Sequence, residues 1–229
     1  MKLPRWHVCK TGAAVREAAA AWVATAAEDA IASRGLFRIV LAGGVTPRSL
    51  YEALPSLATD WSAWEVWFGD ERCLPARDPA RNSRMAEEAL LSHVPVPARQ
   101  VQVIRGELGA ERAARDYRLR LAGVPDFDLV LLGLGEDGHT ASLFPGLAWG
   151  EGSDAPDVLA VRAAPKPPAE RVSLSARRLS ATRSALFLVA GAAKGAAVGA
   201  WRAGRDLPAA AIQPRGGVDV LVERICLEG

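Results

Sequence analysis

Short apolar runs alternate with longer stretches of helical composition along this chain. The runs at 6–9, 37–42, 64–68, 101–104, 128–132, 158–162, 171–174, 186–189 and 218–222 read as strands, with 37–42 and 128–132 the most clearly buried. Between them, residues 13–33 are rich in Ala with Glu and Arg interspersed, which favours a long helix that Gly35 would end. Further helices are expected at 49–57, where Pro47 can help to start one, and at 85–92, 107–122 and 194–202. Strands alternating with helices predict an α/β fold: a mostly parallel sheet covered on both faces, with its ligand crevice at the carboxyl ends of the strands. Residues 43–48 and 133–146 are glycine-rich loops at such ends, and 69–82 is expected to be irregular because charge and Pro crowd it.

Half of the 229 residues are hydrophobic, enough to bury one full core, so a single domain over residues 1–229 is the simplest organisation. The formal net charge is +2, and no run of Lys or Arg interleaves with aromatics, so nothing resembles a nucleic-acid footprint. Cys9, Cys73 and Cys226 are scattered and odd in number, which argues against a disulfide framework and fits a reducing cytoplasm. The N-terminal stretch has no signal-peptide core, and charges break the Ala-rich segments before membrane-spanning length. A soluble protein with no membrane partner is expected.

Chemistry concentrates in three places. Gly43-Gly44-Val45-Thr46-Pro47-Arg48 lies between a strand and a helix, where free amides favour an anion, Thr46 adds a hydroxyl and Arg48 a charge. A tight turn whose glycines only satisfy backbone geometry explains the same residues equally well. Asp70-Glu71-Arg72 follows a strand, which favours the crevice over a solvated charge cluster. Gly133-Leu-Gly-Glu-Asp-Gly138 fits G-x-G-x-x-G, yet Pro145-Gly146 interrupts the long helix that a dinucleotide fingerprint needs. His139 follows, flanked by Gly, Asp and Thr. A lone histidine is more often structural, but this one suits a general base tuned by Asp137, and His7 and His93 have no comparable setting. No G-x-S-x-G elbow occurs, and His139 has no second His or Cys at metal-ligand spacing, so no metal is expected.

Over nearly its whole length the chain resembles the 6-phosphogluconolactonases, relatives of the glucosamine-6-phosphate deaminases. The resemblance rests on Gly-Gly-x-Thr-Pro at 43–47, Asp-Glu-Arg-x-x-Pro at 70–75 with Asn82 after it, and Gly-x-Gly-x-Asp-Gly-His-Thr-Ala-Ser-Leu-Phe-Pro-Gly at 133–146. Arg171-Val-Ser-Leu and Gly191-Ala-Ala-Lys194 complete the order. It implies a Rossmann-like sheet of the deaminase type and hydrolysis of 6-phospho-D-glucono-1,5-lactone without a cofactor. By the same resemblance His139 activates water with Asp70 and Asp137 as catalytic carboxylates. Gly43, Gly44, Thr46, Arg48, Arg171 and Lys194 hold the phosphate, and Arg72, Asn82 and Gly138 complete the substrate contacts. Two positions depart from the relatives. Arg81-Asn82-Ser83 stands where many members have Ser-Asn-Tyr, and Leu143-Phe144-Pro145 stands where deaminases carry Asn-Glu-Pro. The second departure removes the acidic partner that amino-sugar ring opening needs, which favours the lactonase over the deaminase, and intact His139 and Asp70 speak against a non-catalytic sugar-phosphate sensor.

Overall fold

In the computed structural model, which describes residues 2–228, strand β1 (Arg5–Cys9) leads through Thr11 into helix α1 (Gly12–Arg34). The Thr11 hydroxyl accepts a hydrogen bond from the Ala14 amide at 3.2 Å, satisfying one free donor of the first turn. Gly35, at φ 73°, ends the helix and sends its N–H to the Ile31 carbonyl. Val15, Ala19, Val23, Ala27 and Ala30 form one buried stripe, and small side chains there let α1 lie close to the sheet. The chain continues through β2 (Phe37–Leu41), α2 (Val45–Ala53), β3 (Trp64–Phe68), β4 (Asp70–Arg72), α3 (Asn82–Ala86), β5 (Val101–Gln102) and α4 (Ala110–Leu121). Then come β6 (Phe127–Gly133), β7 (Val158–Val161), β8 (Arg171–Leu174), α5 (Ala176–Ser180), β9 (Thr182–Val189), α6 (Gly195–Arg202) and β10 (Val218–Glu223).

Seven strands form an all-parallel sheet in the order β1-β10-β9-β6-β2-β3-β5. Successive residues of β2 and β6 are buried regardless of which way they point, so both faces of the central strands are covered, as the apolar runs predict. From β2 the sheet grows one way through β3 and β5, and from β6 it grows the other way through β9 and β10. The strand order therefore reverses between β2 and β6. β4, β8 and β7 make a separate antiparallel sheet, with Asp70 opposite Ser173 and Arg72 opposite Arg171. Among the described residues, no helix is long and apolar enough to cross a membrane.

Several expected boundaries move, each for a local reason. The glycine loop shrinks to Gly43 and Gly44, because the Arg48 amide already bonds to the Gly44 carbonyl at 3.0 Å and Thr46, Pro47 and Arg48 lie in the first turn of α2. Residues 69–82 are not wholly irregular: Asp70–Arg72 pairs its backbone with β8, which overrides the poor strand propensity of three charged residues. The helix expected at 85–92 begins at Asn82 and loosens into a π turn at Glu87–Leu91. That expected at 107–122 is cut at Gly109, φ 79°, between a 3-10 turn and α4. The runs at 158–162 and 171–174 leave the main sheet for the small one.

Two tyrosines fix the places where the chain leaves the sheet. Tyr51 on α2 accepts from the Ala42 amide at 2.8 Å and donates to the Ala42 carbonyl at 2.9 Å, just past β2. Tyr117 on α4 does the same to Phe68 at the end of β3, at 2.9 and 3.2 Å. Burial pushes both phenols up, so each keeps the proton that its donated bond requires.

At the other end of the sheet, β2 and β6 share only Ile39↔Leu129 and Val40↔Val130, and Asp128 extends the pairing with its side chain. Its carboxylate accepts from the Arg38 amide and from Arg34, both at 2.8 Å, and is almost fully buried. Asp128→Ala leaves the Arg38 amide without its partner and is expected to cost about 1.5–3 kcal/mol. Urea unfolding should show an earlier midpoint at unchanged slope.

Candidate active site

The carboxyl ends of β2 and β6 open onto a cleft of about 480 Å³, where strand order reverses and the two exiting loops diverge. Gly43, Gly44, Thr46, Asp70, Arg72, Asn82, Gly133, Gly135, His139, Arg171 and Lys194 all line it. A larger groove of about 760 Å³ runs along α1, but alanines and Trp22 dominate it and its Asp128 is committed to Arg34 and the Arg38 amide. Size alone does not mark the chemistry.

After β6 the backbone closes on itself. The Gly135 amide bonds to the His139 carbonyl at 2.7 Å, the Gly138 amide to the Gly135 carbonyl at 3.0 Å, and the Thr140 hydroxyl to the Gly133 carbonyl at 2.9 Å. Inside this ring His139 Nδ1 meets Asp137 Oδ1 at 2.5 Å, while the imidazole rests on the buried Phe144 ring, centroids 4.7 Å apart. A Cβ on Gly135 would stand 1.9 Å from His139 Nδ1 and 2.6 Å from Asp137 Oδ1. The glycine is there because the His–Asp pair occupies that space. With Nδ1 engaged, Nε2 is the nitrogen free of hydrogen bonds within the described residues. Burial pushes the Asp137 carboxyl up, but the hydrogen bond and charge of His139 outweigh it and hold the group below the usual carboxylate range. Ala141, which also lines the cleft, sits at φ 48°, an uncommon conformation for a residue with a side chain.

The small sheet forms the facing wall. Asp70 is buried and accepts from Asn82 Nδ2 at 2.9 Å and from the Ser142 hydroxyl at 2.6 Å, which ties β4 to the His loop. Burial pushes its carboxyl up, against the pull of Ser142, Arg72 and Arg171. Asn82 in turn fills the space where a Gly43 side chain would lie, 2.2 Å from the hypothetical Cβ. Arg171 gives Nε and one Nη to the carbonyls of Lys166, Pro167 and Pro168 and lies 5.4 Å from the centroid of the Phe144 ring. Phe144 thus touches both His139 and Arg171. Arg72 bonds through one Nη to the Ala80 carbonyl, while its Nε is buried without a hydrogen-bond partner.

Of the twelve residues singled out from the sequence, nine line the cleft. Asp137 stands behind His139 and acts on it, not on the open space. Arg48 is displaced: as part of α2 it points along the exposed helix face and pairs with Glu52 at 3.1 Å, the i, i+4 neighbour that helical spacing supplies. Gly138 does not line the cleft either; its φ of 84° and its contact with Leu207 make it a turn residue. His7, bonded to Asp219, and His93, bonded to the Glu88 carbonyl, lie elsewhere. The sequence reading missed Ser142, Phe144 and Tyr51. A buried Asp70 needs donors and a stacked imidazole needs a ring, but only the fold brings those partners in. Among the described residues no group of His, Cys, Asp or Glu is gathered so as to hold a metal ion.

Residues 10–221 match the family model described as glucosamine-6-phosphate isomerases/6-phosphogluconolactonase. The chain belongs to that family. It is 40% identical over 200 residues to a 6-phosphogluconolactonase of Streptomyces coelicolor, covering 80% of this chain and 76% of that protein. A crystal structure of 6-phosphogluconolactonase from Thermotoga maritima superposes with a TM-score of 0.87 at 27% identity, over 96% of this chain and all of that one. A monomeric glucosamine-6-phosphate deaminase superposes at 0.84 with 21% identity, over 98% of this chain and 99% of that one, a likeness of fold alone. The deaminase therefore shares the fold, and side chains must distinguish the two activities.

Gly135→Ala is the sharpest probe of the His loop. It is expected to separate His139 from Asp137 while the protein stays folded. In NMR spectra the His139 imidazole nitrogens should shift toward free-imidazole behaviour in the variant, and unchanged resonances would show that the loop accommodates the methyl group without disturbing the pair.

Proposed function

We propose that this chain hydrolyses 6-phospho-D-glucono-1,5-lactone to 6-phospho-D-gluconate, the second step of the oxidative pentose phosphate pathway, within one catalytic domain over residues 1–229. The observation that carries the reading is the His139 imidazole, bound through Nδ1 to Asp137 and packed at a tilt against Phe144, with Nε2 left to take a proton. Water attacks the C1 carbonyl as Nε2 removes its proton; the tetrahedral centre then collapses, the C1–ring oxygen bond breaks, and His139 returns the proton to that oxygen. The ionised Asp137 fixes the ring and balances the transient imidazolium. A ring-constrained ester whose departing oxygen is protonated by His139 needs no covalent nucleophile.

The cations of the cleft suit the rest of the substrate. Lys194, at the turn before α6, and Arg171 are assigned to the phosphate together with the Gly43–Gly44 amides and Thr46. Arg72, whose side chain lines the cleft, orients the lactone or steadies the developing oxyanion. Asp70 and Asn82 shape the sugar side of the pocket. Holding the phosphate far from C1 turns remote binding energy into alignment at the reacting carbon. Deamination is disfavoured because Leu143 and Phe144, both buried and apolar, occupy the stretch where deaminases carry an acid. Three free cysteines fit a reducing cytoplasm, and the charge pattern offers nucleic acid no surface.

The decisive experiment follows 6-phosphogluconate from freshly made lactone with chelator present, corrected for spontaneous hydrolysis, and ammonia from glucosamine 6-phosphate. Lactone turnover without ammonia is expected; ammonia at a comparable rate would overturn the assignment. His139→Ala should lower kcat by about 10²–10⁴-fold in a folded protein. Arg171→Ala and Lys194→Ala should weaken the phosphorylated lactone more than an unphosphorylated one. Arg48→Ala should leave that discrimination unchanged, because its charge is spent on Glu52.

A further inference from the structure

Glu71 is the member of the Asp70-Glu71-Arg72 triplet that the mechanism does not use, and it is fully buried. Alternation along β4 explains why. Asp70 and Arg72 face the cleft and Glu71 points to the opposite side of the strand. A buried carboxylate is tolerated only when its oxygens are satisfied, and here donors crowd both. Oε1 accepts from the Arg72 amide at 2.8 Å and the Asn82 amide at 2.7 Å. Oε2 accepts from the Ser83 amide at 2.9 Å, the Ser83 hydroxyl at 2.6 Å and Arg81 Nε at 3.3 Å.

Arg81 is equally committed. Only 2% of its side chain is exposed, and its remaining nitrogens reach Glu107 at 2.7 Å and the Ile104 carbonyl at 2.6 Å. The Glu107–Arg81–Glu71 chain thus joins three segments, around 70–72, 81–83 and 104–107. The last packs so closely that a Cβ on Gly106 would stand 2.4 Å from the Arg72 carbonyl. Two of the amides that Glu71 holds belong to Arg72 and Asn82, whose side chains line the cleft. Asn82 then reaches the Asp70 carbonyl at 3.0 Å and its carboxylate at 2.9 Å.

We propose that Glu71, braced by Arg81 and Glu107, is a positioning residue that sets how Arg72 and Asn82 meet the substrate while leaving the His139 proton transfer untouched. The proposal rests on the substrate roles assigned above to Arg72 and Asn82. A glutamine at position 71 cannot reproduce the latch, because its amide nitrogen would face donors whichever way it is turned.

The test is a double-mutant cycle on lactone turnover with Glu71→Gln and Asn82→Ala. Glu71→Gln is expected to raise KM about tenfold with kcat changed less than about threefold, and to raise it by clearly less than about tenfold once Asn82 is already alanine, the remainder acting through Arg72. A loss confined to kcat, or two effects that multiply fully, would overturn the proposal. If Glu71→Gln does not fold, Ser83→Ala and Glu107→Ala each remove one strut and should shift KM in the same direction by a smaller factor. Unchanged KM in both would equally overturn it. Amide hydrogen exchange at Arg72 and Asn82 needs no substrate. It should quicken in the same variants, so a wild-type chain without lactonase activity would sink the functional reading while exchange still judges the latch.

Discussion

Where β2 and β6 lie side by side, the sheet grows away from them in opposite directions, and the loops leaving their carboxyl ends cannot follow the same path. That topological constraint creates the cleft before any functional side chain is considered. Everything else secures the two exits. Tyr51 satisfies both polar groups of Ala42 just before Gly43, and Thr140 returns to the carbonyl of Gly133, the last residue of β6. A backbone group left unpaired at such a point would cost as much as a lost hydrogen bond, so the exits are held by specific partners in place of solvent.

Glycine then allows what the topology invites. At Gly43 and Gly135 the absent side chains are replaced by Asn82 and by the His139–Asp137 pair, each closer than any Cβ could tolerate. Functional groups thus occupy backbone-level space on both sides of the reversal. Removing the glycine and removing the functional side chain should be similar in effect, since each is present to accommodate the other.

The sequence was informative where local chemistry determines structure. Thr11 and Gly35 bound α1, and the unbroken apolar run of β6 announces a strand buried on both faces. It was misleading where tertiary pairing overrides propensity. Asp70–Arg72 has little intrinsic reason to be a strand, and only Arg171–Leu174, a hundred residues away in the chain, makes it one. The same pairing separates Glu71 from its neighbours, a division invisible in a run of three charges. Arg48 failed for the opposite reason: helix α2 starts earlier than Pro47 suggests, and one turn of rotation carries the guanidinium to Glu52. The His loop was legible because its residues are contiguous, whereas Ser142, Asp70, Asn82 and Ser173 meet only through the fold.

The distribution of charge explains why this cleft suits a phosphorylated, neutral reacting centre. Its cations have unequal freedom. Arg171 is anchored on three carbonyls and Arg72 on one, while Lys194 enters from a short turn. Two of its carboxylates are withdrawn, Asp70 buried among donors and Glu71 on the far side of β4, while Asp137 is exposed beside the imidazole it bonds. Asp70 and Glu71 thus hold their negative charge below the surface, while Arg72, Arg171 and Lys194 line the cleft. The buried Phe144 ring packs against both the His139 imidazole and the Arg171 guanidinium. A site built this way gathers cations at one end and leaves an imidazole nitrogen free of hydrogen bonds within the described residues at the other, the arrangement that the proposed hydrolysis uses.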